Sequence, residues 1–208
     1  MKLYDISMPI DVNMAVFKNE PSRKPELIPI KSLDEHEVVI HKILLDLHSG
    51  THVDAPSHYY KNGKTIDQLS MTKEVTLCRV LDFTHVEGSI SKEDLVHAGL
   101  AENEFVLLKT KNSSTDLYDP EFVYLNKEGA EYLVEMKAKG VGIDGMTIER
   151  NQPKHETHKL LLKNEIMIIE GLRLLHIKAG IYHMVALPIN IVGAEASPTR
   201  VLLIEGLK

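Results

Sequence analysis

The sequence predicts an α/β domain in which a dominant sheet carries helices along one side. Three observations lead there. Short β-branched runs recur at strand length, helical patterns are few and well capped, and 208 residues suit one domain. Residues 1–208 are therefore expected to form a single sheet-rich sandwich, large enough to bury a core without covalent staples.

Taken in order, the stretch from Asp11 to Pro29 is interrupted by Pro21, Pro25 and Pro29 and reads as a long loop or arm. Val38 to Leu47 is apolar apart from His41-Lys42 and reads as a strand. Val75 to Phe83, with Arg79 and Asp82 as polar breaks, is a second, and Phe105 to Thr110 a third. Ser91 followed by Asp94 forms a capping box for a helix that stops at Gly99. Asn126 caps another helix, whose stripe of Ala130, Leu133, Val134 and Met136 to Ala138 ends at Gly140. Further strands are expected at Val141 to Asp144, Ile166 to Glu170, Tyr182 to Ala186 and Arg200 to Glu205. A short helical turn fits His158 to Lys163.

Composition excludes several function classes. Lys plus Arg number 24 against 30 Asp plus Glu, a net charge of −6, which argues against a nucleic-acid or anionic-membrane binder. No run approaches the 18 or so apolar residues of a membrane span. The N-terminus lacks the apolar core and cleavage site of a secretory signal. The single cysteine, Cys78, allows no internal disulfide and no thiolate zinc framework, so a soluble protein of the reducing cytoplasm is expected. Two counts stand apart: 11 histidines and no tryptophan.

Three of those histidines and an aspartate lie within eleven residues, His48-Ser49-Gly50-Thr51-His52-Val53-Asp54-Ala55-Pro56-Ser57-His58. Pro56 rules out a helix. On a straight strand the four polar residues share one face, but His48 and His52 would stand roughly 13 Å apart, too far to share an ion. Gly50 and Pro56 are expected to fold the segment into a kinked strand end or loop. Imidazoles with a carboxylate and no thiolate suit a divalent metal, zinc first and manganese or iron after it. Such an ion acidifies water, and a histidine that is not a ligand can shuttle the proton.

This segment resembles the H-x-G-T-H-x-D-x-P-x-H motif of the cyclase-like metal-dependent hydrolases, which include bacterial kynurenine formamidases (arylformamidases) and isatin hydrolases. The likeness runs on through Tyr4-Asp5-Ile6-Ser7 with Pro9, Leu107 to Thr110, Gly142-Ile143-Asp144, Ala186-Leu187-Pro188 and Ser197 to Arg200. The resemblance implies that His48, His52 and Asp54 are metal ligands, with Asp54 bridging a second ion, and that His58 is the general acid/base. A histidine and a glutamate twelve residues later complete the family's site, which points here to His158 and Glu170. His155 is the rival ligand, since positions three apart share a helical face. Asp144, at a strand end, is a candidate to orient a ligand histidine, with turn capping as the alternative. Glu149-Arg150 reads as a solvated pair.

The resemblance further implies a swivelling ββα three-layer sandwich and a homodimer or homotetramer. Its activity would be hydrolysis of a small-molecule amide, nominally an N-formylkynurenine-like aryl formamide, with one or two Zn2+ ions, or Mn2+ in second place. Opening of a cyclic amide or ester is the enzyme alternative, and a metal-binding or interaction domain the non-enzyme one. The chain departs from the kynurenine formamidases in lacking their N-terminal tryptophan. Phe17 and Lys18 occupy the corresponding arm and are expected to contact substrate. Glu149-Arg150 stands where the family often has Asp-Pro. Both departures touch substrate selection and spare the ligand set.

Overall fold

A computed structural model describes residues 1–207. Strand β1 (Lys2–Asp5) leads to an irregular arm and then a hairpin of β2 (Glu26–Lys31) and β3 (Ile40–Leu44). After β4 (His52–Asp54) come the short helix α1 (Met71–Glu74), β5 (Val75–Asp82), β6 (Ser89–Ile90) and α2 (Lys92–His97). The order continues β7 (Phe105–Lys109), β8 (Tyr124–Leu125), α3 (Lys127–Glu135), β9 (Gly140–Ile143), α4 (Glu156–Lys163), β10 (Met167–Glu170), β11 (Gly180–Pro188) and β12 (Ala196–Glu205).

The expected α/β arrangement forms, with one difference: its two β walls are one sheet closed on itself. Strand β12 is ten residues long and uses both edges. One edge pairs with β11. Along the other, β1 takes the C-terminal half and β4 the N-terminal end, through Ala196↔Asp54 to Pro198↔His52. β4 also pairs with β10, and the ladder returns through β9, β7 and β5 to β11. Closure leaves few free edges and fixes β4 from both sides.

Strand alternation then sorts side chains into two cores. Phe105, Leu107, Ile169, Met184 and Val201 point into the closed sheet. Val106, Leu108, Val141, Ile143 and Ile168, on the opposite parity, pack under α2, α3 and α4 with Leu95, Leu133 and Leu161. The caps form as the sequence predicts: Ser91 and Asp94 bond reciprocally, and Asn126 Oδ1 accepts from Gly129 N at 2.9 Å.

Two expectations are corrected. The Asp11 to Pro29 segment is irregular only to residue 25, because Pro29 is tolerated in the two-stranded β2–β3 hairpin, where it sits opposite His41. The Val38 to Leu47 strand shrinks to Ile40–Leu44, since Asp46 turns the chain toward His48. Among the described residues no helix is long and apolar enough to cross a membrane.

Candidate metal centre

The motif folds back on itself as its glycine requires. Asp46 accepts from the backbone of both Ser49 and His48, and Gly50 adopts φ +64°. Strand structure begins only at His52, and the rings of His48 and His52 end 5.1 Å apart instead of a strand's span. Thr51 locks the bend: its hydroxyl accepts from Met8 N at 2.7 Å and donates to Gly171 O at 2.6 Å. At Gly171, φ is +69° and a Cβ would fall 2.3 Å from Gly50 O, so only glycine lets the loop after β10 close on the motif. Beyond β4, Pro56 opens a single turn of 3-10 helix that brings His58 back against His48, ring centroids 4.4 Å apart.

Four elements converge on one point. His52, Asp54, His158 and Glu170 are each at most 4% exposed, and His48 stands at the rim. His48 Nδ1 lies 3.1 Å from Asp54 Oδ1. His52 Nε2 is 3.2 Å from Glu170 Oε2, and His158 Nε2 is 3.1 Å from Glu170 Oε1 and 3.5 Å from Asp54 Oδ2. His52 Nδ1 faces the Gly50 carbonyl at 3.0 Å, an acceptor only, so Nδ1 carries a hydrogen and Nε2 is the ring atom left to face the centre. Despite these short approaches, His52 Nε2 and both Asp54 oxygens have no hydrogen-bond partner among the described residues. Buried polar atoms left unpaired are costly, and these are aimed at one another. Ligand atoms of His52, Asp54 and Glu170, and separately of His48, Asp54 and His58, lie within 4.8 Å of each other. Asp54 belongs to both groups. The donor set, imidazole and carboxylate without thiolate, fits one or two divalent cations.

The electrostatics carry the same mark. Burial opposes charge on His52, but the Glu170 and Asp54 carboxylates beside it outweigh that and lift its pKa to about 9. Burial is likewise overcome at His158, which Asp54, Glu149 and Glu170 hold well above 6.5. Burial and the neighbouring Asp54 would raise Glu170, yet the hydrogen bond with His158 and the nearby His52 ring bring it down to about 2. Asp54, buried but faced by the His158 and His48 rings, stays well below the ordinary carboxylate range. A cluster that draws protons onto buried imidazoles in this way is also suited to a cation. His58 behaves differently: burial lowers its pKa, so its ring is neutral near pH 7.

The helix carrying His158 is positioned by a residue that sequence reasoning placed on the surface. Glu149 is 6% exposed. Its Oε2 accepts from His158 N at 3.2 Å, capping α4 where His155, in the left-handed region at φ +54°, supplies no cap. Its Oε1 lies 3.0 Å from His158 Nδ1 and 2.6 Å from His155 Nδ1. Arg150 is no partner to it, reaching Pro120 O and Glu121 instead. The carboxylate thus holds the back of His158 so that Nε2 faces Asp54 and Glu170. His155, its side chain 52% exposed, stays outside that point and bonds Tyr59 Oη at 3.2 Å.

Asp144 is also corrected. It touches no histidine; its oxygens accept from Thr110 N, Thr110 Oγ1 and Ser113 Oγ, the capping role that was the alternative. Phe17 lines a small cleft with His48, Gly50 and Met146. Lys18 is not among its lining residues and rests its ammonium 5.2 Å from the Phe17 ring. Tyr59 was missed, though it directly follows His58. Its ring lies 4.4 Å from His58 and 5.1 Å from His158, and burial pushes its hydroxyl to about 12.

Comparison with known proteins places this geometry. Residues 4–150 match the family model described as "Putative cyclase". A kynurenine formamidase of Bacillus cereus is 30% identical over 201 residues, covering 96% of this chain and 95% of that protein. A structure from Bacillus stearothermophilus, described as a "predicted metal-dependent hydrolase", superposes with a TM-score of 0.90 at 42% identity, covering 97% of each chain. Isatin hydrolase A from Labrenzia aggregata shares the fold at a TM-score of 0.83 and 21% identity, over 97% of this chain and 93% of its own.

Proposed function

The chain belongs to the cyclase family, and from that premise we propose that it is a metal-dependent amidohydrolase cleaving an aryl formamide of the N-formylkynurenine type to amine and formate. The observation that carries the reading is the convergence of His52 Nε2 and both Asp54 oxygens, buried and unpaired, on Glu170. His48, His52, Asp54, His158 and Glu170 would hold one or two divalent ions, with Zn2+ the first assignment and Mn2+ the second. A cation there polarises a carbonyl and lowers the pKa of water to about 7.

The chain's own groups do the rest. His58, kept neutral by burial, accepts a proton from the attacking water at a ring nitrogen and returns it to the departing amine nitrogen. Tyr59, protonated at any working pH, walls the histidines from solvent. Phe17 supplies an aromatic surface beside His48, and Lys18 adds positive charge at the same arm.

The second reading, hydrolysis of a cyclic amide or ester, is favoured by the absence of tryptophan from the aromatic wall. Turnover of formanilides against lactams and lactones, by the zinc- and manganese-loaded protein, separates the two. No turnover across the panel would leave a metal-binding domain. A homodimer or homotetramer is supported by the β2–β3 hairpin, which exposes Leu27, Ile28, Ile30, Ile43 and Leu44 and cannot stand alone as two strands; sedimentation tests it. The one cysteine, buried and unpaired, accords with the cytoplasm.

A further inference from the structure

Beside the metal centre lies a second, larger hollow of about 180 Å³, walled by Lys111, Asn112, Tyr118, Phe122, Met146 and Arg173. Met146 is shared with the cleft that reaches His48, and Tyr118 meets Phe17 of that cleft edge to face at 5.6 Å. The two spaces are thus neighbours. Arg173 follows Glu170 by three residues, so their backbones are no more than about 11 Å apart.

Arg173 is the unusual wall. Its backbone is fixed, N–H donating to Ile6 O at 2.8 Å, and its side chain is 17% exposed. Nη1 donates to Leu172 O at 3.3 Å, but among the described residues Nε and Nη2 are buried without a hydrogen-bond acceptor. The carboxylate of Asp116 comes within 3.4 Å of Nε out of line for a bond, on a side chain 89% exposed. Asp144 is nearby and buried, but its oxygens are occupied by Thr110 and Ser113. Asp119 caps its own turn through Glu121 N. Lys111, half turned to the rim, pairs with exposed Glu87.

Nε and Nη2 form one edge of the guanidinium, two parallel donors spaced to take both oxygens of a carboxylate. We propose that this edge of Arg173 binds a carboxylate borne by the substrate, so that the protein selects anionic amides or esters with the acid group held away from the scissile bond. The inference rests on the hydrolase reading above. An N-formylkynurenine-type aryl formamide already bears such an acid; what is added is the residue that reads it, with the aryl ring beside Phe17 and Met146 and the acid-bearing arm reaching Arg173.

The test pairs a formanilide bearing a 2-carboxyethyl arm with its methyl ester, assayed on the metal-loaded protein. The expected kcat/KM favours the acid by at least tenfold, and in Arg173→Gln that ratio falls at least tenfold. A wild-type ratio near one, or one that Arg173→Gln leaves within twofold, overturns the proposal, and the first needs no variant. Calorimetric titration with 3-phenylpropionate and with its neutral amide reads the site without catalysis. Tighter binding of the carboxylate, weakened tenfold in Arg173→Gln, is expected. If no compound is hydrolysed but this preference stands, the hydrolase reading fails and the acid site survives. Hydrolysis without acid preference means the reverse.

Discussion

Replacing Glu149 with alanine isolates a residue that never meets the reacting atoms. Its carboxylate lies 3.0 Å from His158 Nδ1 and accepts from His158 N at 3.2 Å. Truncation leaves Nδ1 in a side chain 5% exposed, with no other carboxylate on that side. The charge-assisted hydrogen bond that Oε2 accepts from His158 N is the helix cap itself and contributes about 1.5–3 kcal/mol, while Oε1 faces Nδ1 only as an ion-pair partner. The metal-free protein should therefore unfold at lower denaturant, by about 1.5–3 kcal/mol. Carboxylates that brace metal-binding histidines typically change affinity by about 10–100-fold. Competition with a chromophoric chelator should show that loss for Glu149→Ala, with Glu149→Gln in between because its amide oxygen still accepts from His158 N. Affinity within twofold of wild type for Glu149→Ala would refute the bracing role.

Other outcomes follow from the same site. His58→Ala should lose about 10²–10⁴-fold in turnover, with metal content by elemental analysis unchanged; wild-type turnover at full metal content would remove its acid/base role. His52, lifted to about 9, stabilises the metal-free fold fully below its unfolded value near 6.5 and loses that contribution as pH rises through 9. Metal must displace this proton and that of His158, so binding should strengthen from pH 6 to 9 and release about two protons at pH 7; calorimetry in buffers of different ionisation enthalpy would detect none if the imidazoles were already free. Gly171→Ala, with its Cβ 2.3 Å from Gly50 O, should weaken metal binding and lower the unfolding midpoint. A wild-type midpoint and affinity would show that the two loops need not touch.

The site's contiguous half was legible because its chemistry and its bend share eleven residues: His48, His52 and Asp54 converge only because Gly50 and Pro56 lie between and after them. His158 and Glu170 were legible through the resemblance alone, since a helix and a strand bring them together. Glu149 was not. Next to Arg150 it has the look of a surface ion pair, and only the loop before α4 turns it inward. Strands such as Phe105–Lys109 announce themselves by unbroken apolar runs, whereas closure of the sheet depends on a three-residue β4 and on its pairing with Ala196 to Pro198 of β12. Neither leaves a local pattern. Arg173 gives no sequence signal either, because its meaning lies in acceptors that the fold leaves out of reach.

Under the proposed function, hydrolysis depends on a cation held by His48, His52, Asp54, His158 and Glu170. Formanilide turnover is to be measured on protein stripped by chelator, verified by elemental analysis and then titrated with Zn2+ or Mn2+. Activity should vanish on stripping and return at one to two equivalents of added metal. Full turnover by verified metal-free protein would contradict it.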